Sequence, residues 1–500
     1  MSKKFFLIFI FIYILWHLYY LDKYPLPDMD DAWLTEPVWR LFKGKGYSSE
    51  MFKGVYGLEK SDVYHGRLYS IFHFPILIGG LSLYLARLSS LLSGFLLLFL
   101  IYLLAKELFN KQKALVSVIV LSLSQLFIIL SHKVRQDMAL CVFFVLVIYI
   151  FLKAVNKKSN ILFFITGLLS SLAIDIHLNG VILLILIFIL FIFFLIRGEY
   201  KRTILLNGSV YCIIGVIIGI FFWIYTHILI DPETFFIQWY SIVLRDFKPT
   251  LFKQINFLLV IKKIFFGWIL SYWNTSYHRG MFEWMIIVLG IILSMFNREN
   301  FRGKKYIYLI IFTILITLPI FSHIPWNYFF FIYPFVSILI ADTIFWFREK
   351  YKILELIPNL FFFIAILVNM LPISIRYSKV NYKNYVKKIK NFLQEEILFG
   401  DVPIWFEYED KFYPHFSYYE YKKFTGKKLY DFLKEREVKY LVLAQEEFKI
   451  TVEKFRPYFE DFLYIKKELI GEVEDSFFGG KFSYCPLHSS HITQIYKIIY

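Results

Sequence analysis

The feature that most constrains this chain is a succession of apolar runs, at 5–21, 84–105, 114–131, 138–152, 160–176, 178–196, 203–229, 281–297, 306–322, 327–347 and 354–372. A hydrocarbon layer about 30 Å thick is crossed by roughly 20 helical residues, so each run is a candidate transmembrane helix. The run 138–152 is short unless its helix continues past Lys153. Composition agrees: 58% of the 500 residues are apolar and the mean hydropathy is +0.57, more than a water-soluble chain can cover with polar surface. The expected fold class is a polytopic α-helical membrane protein with about 11 transmembrane helices. The three cysteines, Cys141, Cys212 and Cys485, are far apart and form neither a metal-binding pattern nor a disulfide framework.

The net charge of +16 could suggest a nucleic-acid partner, but its distribution points elsewhere. Residues 378–500 hold 20 Lys and Arg against 19 Asp and Glu, whereas residues 1–377 hold 35 against 20. With the N-terminus in the cytoplasm, the loops 106–113, 153–158, 197–202, 298–305 and 348–352 are cytoplasmic. With the N-terminus they hold 18 basic residues against four acids. That asymmetry is the positive-inside pattern, so no nucleic-acid partner is expected. The ambiguous stretch 255–272 is read as interfacial and amphipathic, with Lys262 and Lys263 snorkelling, inside an external loop 231–280. The first run lacks a small-residue cleavage site and reads as a retained helix. The expected setting is the plasma (inner) membrane, multi-pass, among membrane lipids.

This topology predicts a transmembrane domain over 1–377 and two extracytoplasmic pieces. One is the loop 22–83, too long for a simple connector. The other is 378–500, a small α/β domain. Within it "LYDFLKEREVKYLVLAQ" predicts an amphipathic helix and a strand at Tyr440–Ala444, "DVPIWFEYED" another strand, and "FFGGKFSYCPL" a Gly-Gly turn between strands.

The same topology brings "PDMDDAW" (27–33), "SHKVRQD" (131–137), "DIHLNG" (175–180) and "HIPWNY" (323–328) to one membrane face. Ionisable residues at such depths are costly, which favours a functional reading. Each signal also has a plain one. Asp28, Asp30 and Asp31 can be caps of a short amphipathic helix begun by "DMDDAWLTEPVWRLF". Arg135 and Asp137 can be a snorkelling side chain and a helix cap, and His177 and Asn179 can serve a tight turn. Their shared placement raises the functional reading.

These residues carry a resemblance. "GLSLYLARLSSLLSGFLLLFLIYLLAKELFNKQKALVSVIVLSLS" (80–124) resembles the second and third helices of the dolichyl-phosphate-mannose–protein mannosyltransferase-like family. That family belongs to the GT-C membrane glycosyltransferases and includes lipid A aminoarabinose transferases. "DMDDAWLTEPVWRLFKGKGY" is similar to its first external loop, "SHKVRQDMALCVFF" to its second acidic motif, and "WNYFFFIYPFVSILIA" to a later aromatic-rich helix. Two departures stand out: Asp30-Asp31 replaces the usual Asp-Glu, and "YHGRLYSIFHFP" replaces a Lys-Pro-Pro segment. Arg67 or His65 therefore takes the place of the family's phosphate-binding lysine.

The resemblance implies a GT-C fold and transfer of a sugar from a polyprenyl-phosphate donor to a hydroxyl of a lipid, protein or glycan acceptor, with inversion. Such chemistry needs a base for the hydroxyl and cations for the leaving phosphate. Asp30 maps onto the family's first aspartate as general base. Asp31 orients the acceptor or tunes its neighbour, and Asp137 holds Arg135 or contacts the sugar. Arg135 is the expected phosphate clamp, because guanidinium offers paired donors, with Lys133 and His132 as further cations. His177 and Asn179 contact the donor. No cofactor is expected; Asp30, Asp31 and Asp137 could bind a divalent metal, but none is assigned. The alternatives are a glycolipid transporter or flippase, which calls for inverted repeats not seen here, a polysaccharide polymerase or ligase, and a catalytically dead relative.

Overall fold

The computed structural model describes residues 3–25, 27, 29–243, 280–297, 301–321, 326–350, 366–378, 380–393, 395–400, 404–444, 462, 465–475 and 491–500. Asp28, the stretch 255–272, residues 323–325, most of the run 354–372, the Gly-Gly turn and Cys485 lie outside them.

The apolar runs form helices: α1 Lys3–Tyr20, α5 Leu83–Leu108, α6 Lys111–Ser122, α7 Gln125–Ser131, α8 Gln136–Lys157, α9 Asn160–Ile176, α10 Val181–Arg197 and α11 Arg202–Trp223, then Gly280–Phe296, Phe301–Phe321 and Tyr333–Lys350. Among the described residues, four helical spans are long and apolar enough to cross a bilayer, five if a bent pair counts as one. That pair is α6 and α7, which meet at 67° within the run read as 114–131. The cause is local: Ser124 caps α7 by accepting the Phe127 N–H at 3.0 Å, so the chain restarts a helix instead of continuing one. The run 138–152 does extend past Lys153, into α8. Helices α9 and α11 pack backbone to backbone. A Cβ on Gly167 would stand 1.9 Å from the Cys212 carbonyl oxygen, and one on Gly215 2.2 Å from that of Phe164.

The two ends of α5 mark the two ends of the bundle. Arg87 and Glu107 are 20 residues apart, about 30 Å along a helix. At the Glu107 end, Lys153 pairs with Glu107 at 2.5 Å. Close by in sequence, Lys113 binds buried Asp342 at 2.6 Å, Lys304 lies 3.3 Å from it, and the Asn297 amide donates to it at 2.8 Å. These lysines come from the basic loops whose positive excess the sequence displayed.

At the Arg87 end, residues 22–83 fold into a compact layer. It contains α2 Met29–Trp33, α3 Glu36–Phe42, a 3-10 segment Arg67–His73 and α4 Phe74–Gly79. The single helix expected from "DMDDAWLTEPVWRLF" is broken in two, because Pro37 in the first turn of α3 cannot donate to a preceding carbonyl. Buried Glu36 gathers the following loop: the Ser49 hydroxyl and the Met51 N–H (3.0 Å) both donate to its carboxyl. Burial pushes that carboxyl up to about 8, against the partial opposition of those two donors. Gln238, at the end of α12 Pro232–Gln238, accepts from the Val63 N–H at 3.1 Å and donates to the Ser61 carbonyl at 2.7 Å.

The tail holds a five-stranded mixed sheet of order β2-β1-β3-β5-β4: β1 Leu398–Gly400, β2 Phe412–Pro414, β3 Tyr440–Ala444, β4 Lys467–Asp475 and β5 His491–Ile498. Strand β1 pairs in parallel with β2 and β3, while β5 runs antiparallel to both β3 and β4. The helix Leu429–Glu435 and strand β3 match the sequence reading. The strand read in "DVPIWFEYED" does not form where it is described: Trp405–Tyr408 is a helical turn followed by a 3-10 turn. Its adjacent Trp405 and Phe406 both enter the core from that turn. The tail docks on the first loop through Arg40–Asp410 (2.9 Å), Lys45–Asp410 (2.5 Å), Tyr56–Glu420 (2.9 Å) and Arg436, which donates to the Lys53 carbonyl.

Candidate active site

Asp30 and Asp31 are neighbours on α2, so their side chains leave the helix about 100° apart and meet different surroundings. Asp31 turns into the protein. Its carboxylate takes two hydrogen bonds from Arg87, at 2.6 and 3.2 Å, and a third from the Val134 N–H at 2.8 Å. Both side chains of this pair are wholly buried, and Arg87 donates further to the carbonyls of Leu21 (3.1 Å) and Pro25 (2.7 Å). One ion pair thus ties α2 to α5, to the end of α1 and to the segment entering α8. Nothing in the sequence reading paired these residues. The available signal was an arginine one turn inside an apolar helix, where a charge must find a partner.

Asp30 stays partly exposed and forms an ion pair with Arg135. On its other side Arg135 donates through Nε to Asp137 at 2.5 Å. Arg135 caps α8 and Asp137, buried, sits in its first turn, where a carboxylate suits the helix dipole. Burial works against the Arg135 charge, but Asp137 and Asp30 outweigh it and hold its pKa well above the ordinary value. The structure therefore joins Asp30, Arg135 and Asp137, three residues drawn from two distant motifs.

The other sequence candidates fall into two groups. His132 is fully buried, with Nδ1 donating to the Tyr24 carbonyl at 2.8 Å and Nε2 facing His17 Nδ1 at 2.7 Å. Burial pushes its pKa down to about 3, so it is a neutral bundle residue and brings no cation to the site. Lys133 beside it is also buried. His177, by contrast, faces the charged cluster. It caps the end of α9, its Nδ1 accepts the Asn179 N–H at 3.0 Å, and its Nε2 lies 3.3 Å from the Tyr328 hydroxyl. Burial lowers its pKa to about 4, while Asp137 acts in the opposite sense and Arg135 and His65 reinforce the lowering. Asn179 is buried, and its amide nitrogen finds no hydrogen-bond partner among the described residues. Arg67 stands 5.8 Å from the Tyr47 ring centre, and His65 bonds to Asp62 at 2.7 Å.

Residues the sequence reading did not single out hold this layer in place. The Asp175 carboxylate accepts the Leu68 N–H at 2.6 Å and the Thr226 hydroxyl at 3.0 Å. Gly66 lies so close to Asp175 that a Cβ would stand 1.0 Å from its carbonyl oxygen. Tyr69 is buried, and burial together with the Asp137 charge raises its pKa. Among the described residues no group of three or more His, Cys, Asp or Glu could hold a metal ion. Asp31 is occupied by Arg87, so the three aspartates named from the sequence do not share one ligand set.

Residues 70–225 match the family model described as dolichyl-phosphate-mannose-protein mannosyltransferase. No curated protein matches the chain. Among solved structures, ArnT from Cupriavidus metallidurans bound to undecaprenyl phosphate is similar over 99% of this chain and 98% of its own, with a TM-score of 0.61 and 12% identity. The oligosaccharyltransferase from Archaeoglobus fulgidus in complex with Zn and sulfate is similar over 87% of this chain and 68% of its own, with a TM-score of 0.53 and 14% identity. The same enzyme tethered to an acceptor peptide through a disulfide bond covers 89% and 69%, with a TM-score of 0.50 and 12% identity. The chain thus shares its fold with ArnT and with the archaeal oligosaccharyltransferase, and within it residues 70–225 match the protein mannosyltransferase model.

Proposed function

We propose that this protein is a glycosyltransferase that moves a sugar from a polyprenyl-phosphate donor to a hydroxyl acceptor at the outer face of the plasma membrane, inverting the anomeric carbon. The observation that carries this reading is the Asp30–Arg135–Asp137 cluster. Undecaprenyl phosphate is what the structurally similar ArnT holds. The positive-inside distribution favours an outward-facing site, with the tail domain on the same side.

Asp30 is the general base. Its carboxylate is engaged by Arg135, and a phosphate arriving at Arg135 competes for the same donors. Donor binding then frees Asp30 toward the acceptor hydroxyl, while Arg135, held by Asp137, meets the charge that builds on the leaving polyprenyl phosphate. Asp31 keeps α2 seated through Arg87 and so acts on Asp30 by position. His177, neutral and carrying its proton on Nε2, and Asn179 offer donors to the sugar. Arg67 is a second cation for the phosphate. An apolar groove of about 300 Å³ between α1, α5 and α6, lined by Ile10, Ile14, Phe95, Phe99, Leu115 and Ile119, suits a prenyl chain. The reading needs no metal or cofactor. The acceptor is a hydroxyl of a lipid, a protein or a glycan.

Asp30→Asn tests it in purified protein supplied with a polyprenyl-phosphate sugar. Loss of a positioned base lowers turnover by about 10²- to 10⁴-fold, with donor binding retained. Unchanged transfer would remove Asp30 from the chemistry.

A further inference from the structure

Asp62 and His65 form a carboxylate–imidazole dyad in the loop beside the cluster. One carboxylate oxygen meets His65 Nδ1 at 2.7 Å, and the other accepts the backbone N–H groups of His65 (3.0 Å) and Tyr64 (3.2 Å). Asp62 is wholly buried and the His65 ring nearly so. The surrounding backbone is pinned as well: the Asp62 N–H donates to the Tyr47 carbonyl at 2.8 Å, the Tyr47 hydroxyl to the Gly66 carbonyl at 3.2 Å, and Gly66 abuts Asp175. A histidine held this firmly has one orientation.

That orientation sets its chemistry. A carboxylate accepts, so Nδ1 carries the proton and Nε2, on the far side of the ring, presents a lone pair. His177 is arranged the other way, with Nδ1 accepting a backbone N–H and Nε2 protonated. Both rings border the same cluster. The Trp33 ring, three residues after Asp30, stands edge-on to His65 at 5.0 Å, and the charges of Asp137 and Arg135 act on His177. The site thus holds one imidazole that donates and one that accepts.

We propose that the Asp62–His65 dyad is where the acceptor's proton comes to rest. Resting on the glycosyl-transfer reading, the sequence is as follows. The acceptor oxygen forms its bond to C1 as the bond from C1 to the phosphate oxygen breaks, and that electron pair leaves with the polyprenyl phosphate. Asp30 draws the hydroxyl proton away, and His65 Nε2 receives it from Asp30. Asp62 then faces an imidazolium, and Asp30 is again a carboxylate able to pair with Arg135.

Asp62→Asn is the decisive variant. It keeps an oxygen for the two backbone N–H groups but turns an amide donor toward Nδ1, so the tautomer switches and Nε2 loses its lone pair. The expected result is a fall in kcat of about 10²-fold with KM for the donor within about twofold, and a rate–pH profile lacking one ionisation. His65→Ala should fall as far and recover in part with added imidazole. Unchanged kcat and pH profile in Asp62→Asn overturn the proposal. So does a His65→Ala enzyme whose loss lies in KM and which imidazole does not restore, the signature of a phosphate-binding or structural histidine. An active Asp30→Asn enzyme would instead take Asp30 out of the proton's path, and a parent protein that transfers no sugar from a polyprenyl-phosphate donor would remove the glycosyl-transfer reading beneath it.

Discussion

Replacing Arg87 by Met tests whether the pair behind the candidate base is what seats it. The substitution keeps an apolar stem of similar reach and deletes the guanidinium, leaving the Asp31 carboxylate fully buried with the Val134 N–H as its remaining bond from the hydrogen bonds described above. Two carbonyls, of Leu21 and Pro25, lose a donor at the same time. Stranding one partner of a buried ion pair costs about 3–5 kcal/mol. The two carbonyls place this case at the upper end, a third or more of a typical stability of roughly 5–15 kcal/mol. Denaturant unfolding in detergent micelles, followed by tryptophan fluorescence, reads the effect. Adding Asp31→Asn to Arg87→Met removes the stranded charge while keeping an acceptor for Val134, so the double variant should be more stable than Arg87→Met alone. A single variant within about 0.5 kcal/mol of the parent, or a double variant that is merely additive, would refute the argument.

Two further outcomes follow from the first loop. The Glu36 carboxyl, raised by burial from 4.5 to about 8, keeps its proton in the folded protein where the unfolded chain has lost it. Its contribution is therefore fully present below pH 4.5 and declines as pH rises to about 8, by an amount on the order of a few kcal/mol. Glu36→Gln should flatten that decline in melting temperature measured across the same window, and parallel curves for the two proteins would contradict it. Gly66→Ala puts a Cβ 1.0 Å from the Asp175 carbonyl oxygen, which backbone must move to relieve. Hydrogen exchange at Leu68 and across residues 60–70 should rise sharply, and unaltered protection would show that the contact is dispensable.

Much of the architecture was legible because it rests on periodic and additive properties. Apolar runs among the described residues declare helices, and the basic residues of short loops gather at one end of the bundle without knowledge of any contact. Asp30, Arg135 and Asp137 could be named because each opens or precedes a helix in a motif with recognisable neighbours. The same logic misjudged His132, which shares a motif with Arg135 yet points into the bundle, since one residue along a turn is enough to exchange surroundings. It also read Asp30 and Asp31 as a working pair, when their angular separation on α2 sends one to Arg135 and the other to Arg87. In the tail, the strand read in "DVPIWFEYED" is replaced by a helical turn at Trp405–Tyr408.

The amino-acid order by itself determined that this chain lives in a membrane as a bundle of helices, that its positive loops share one end, and that acidic and cationic motifs gather at the other. Those follow from local hydropathy and charge, which act through solvent and need no partner. Tertiary structure decided which charges meet: Asp31 with Arg87 across 56 positions, Asp30 with Arg135 across 105, and His65 with an aspartate that fixes its tautomer. An ion pair or a hydrogen bond depends on separations of about 3 Å and on direction, and only the packed chain sets those.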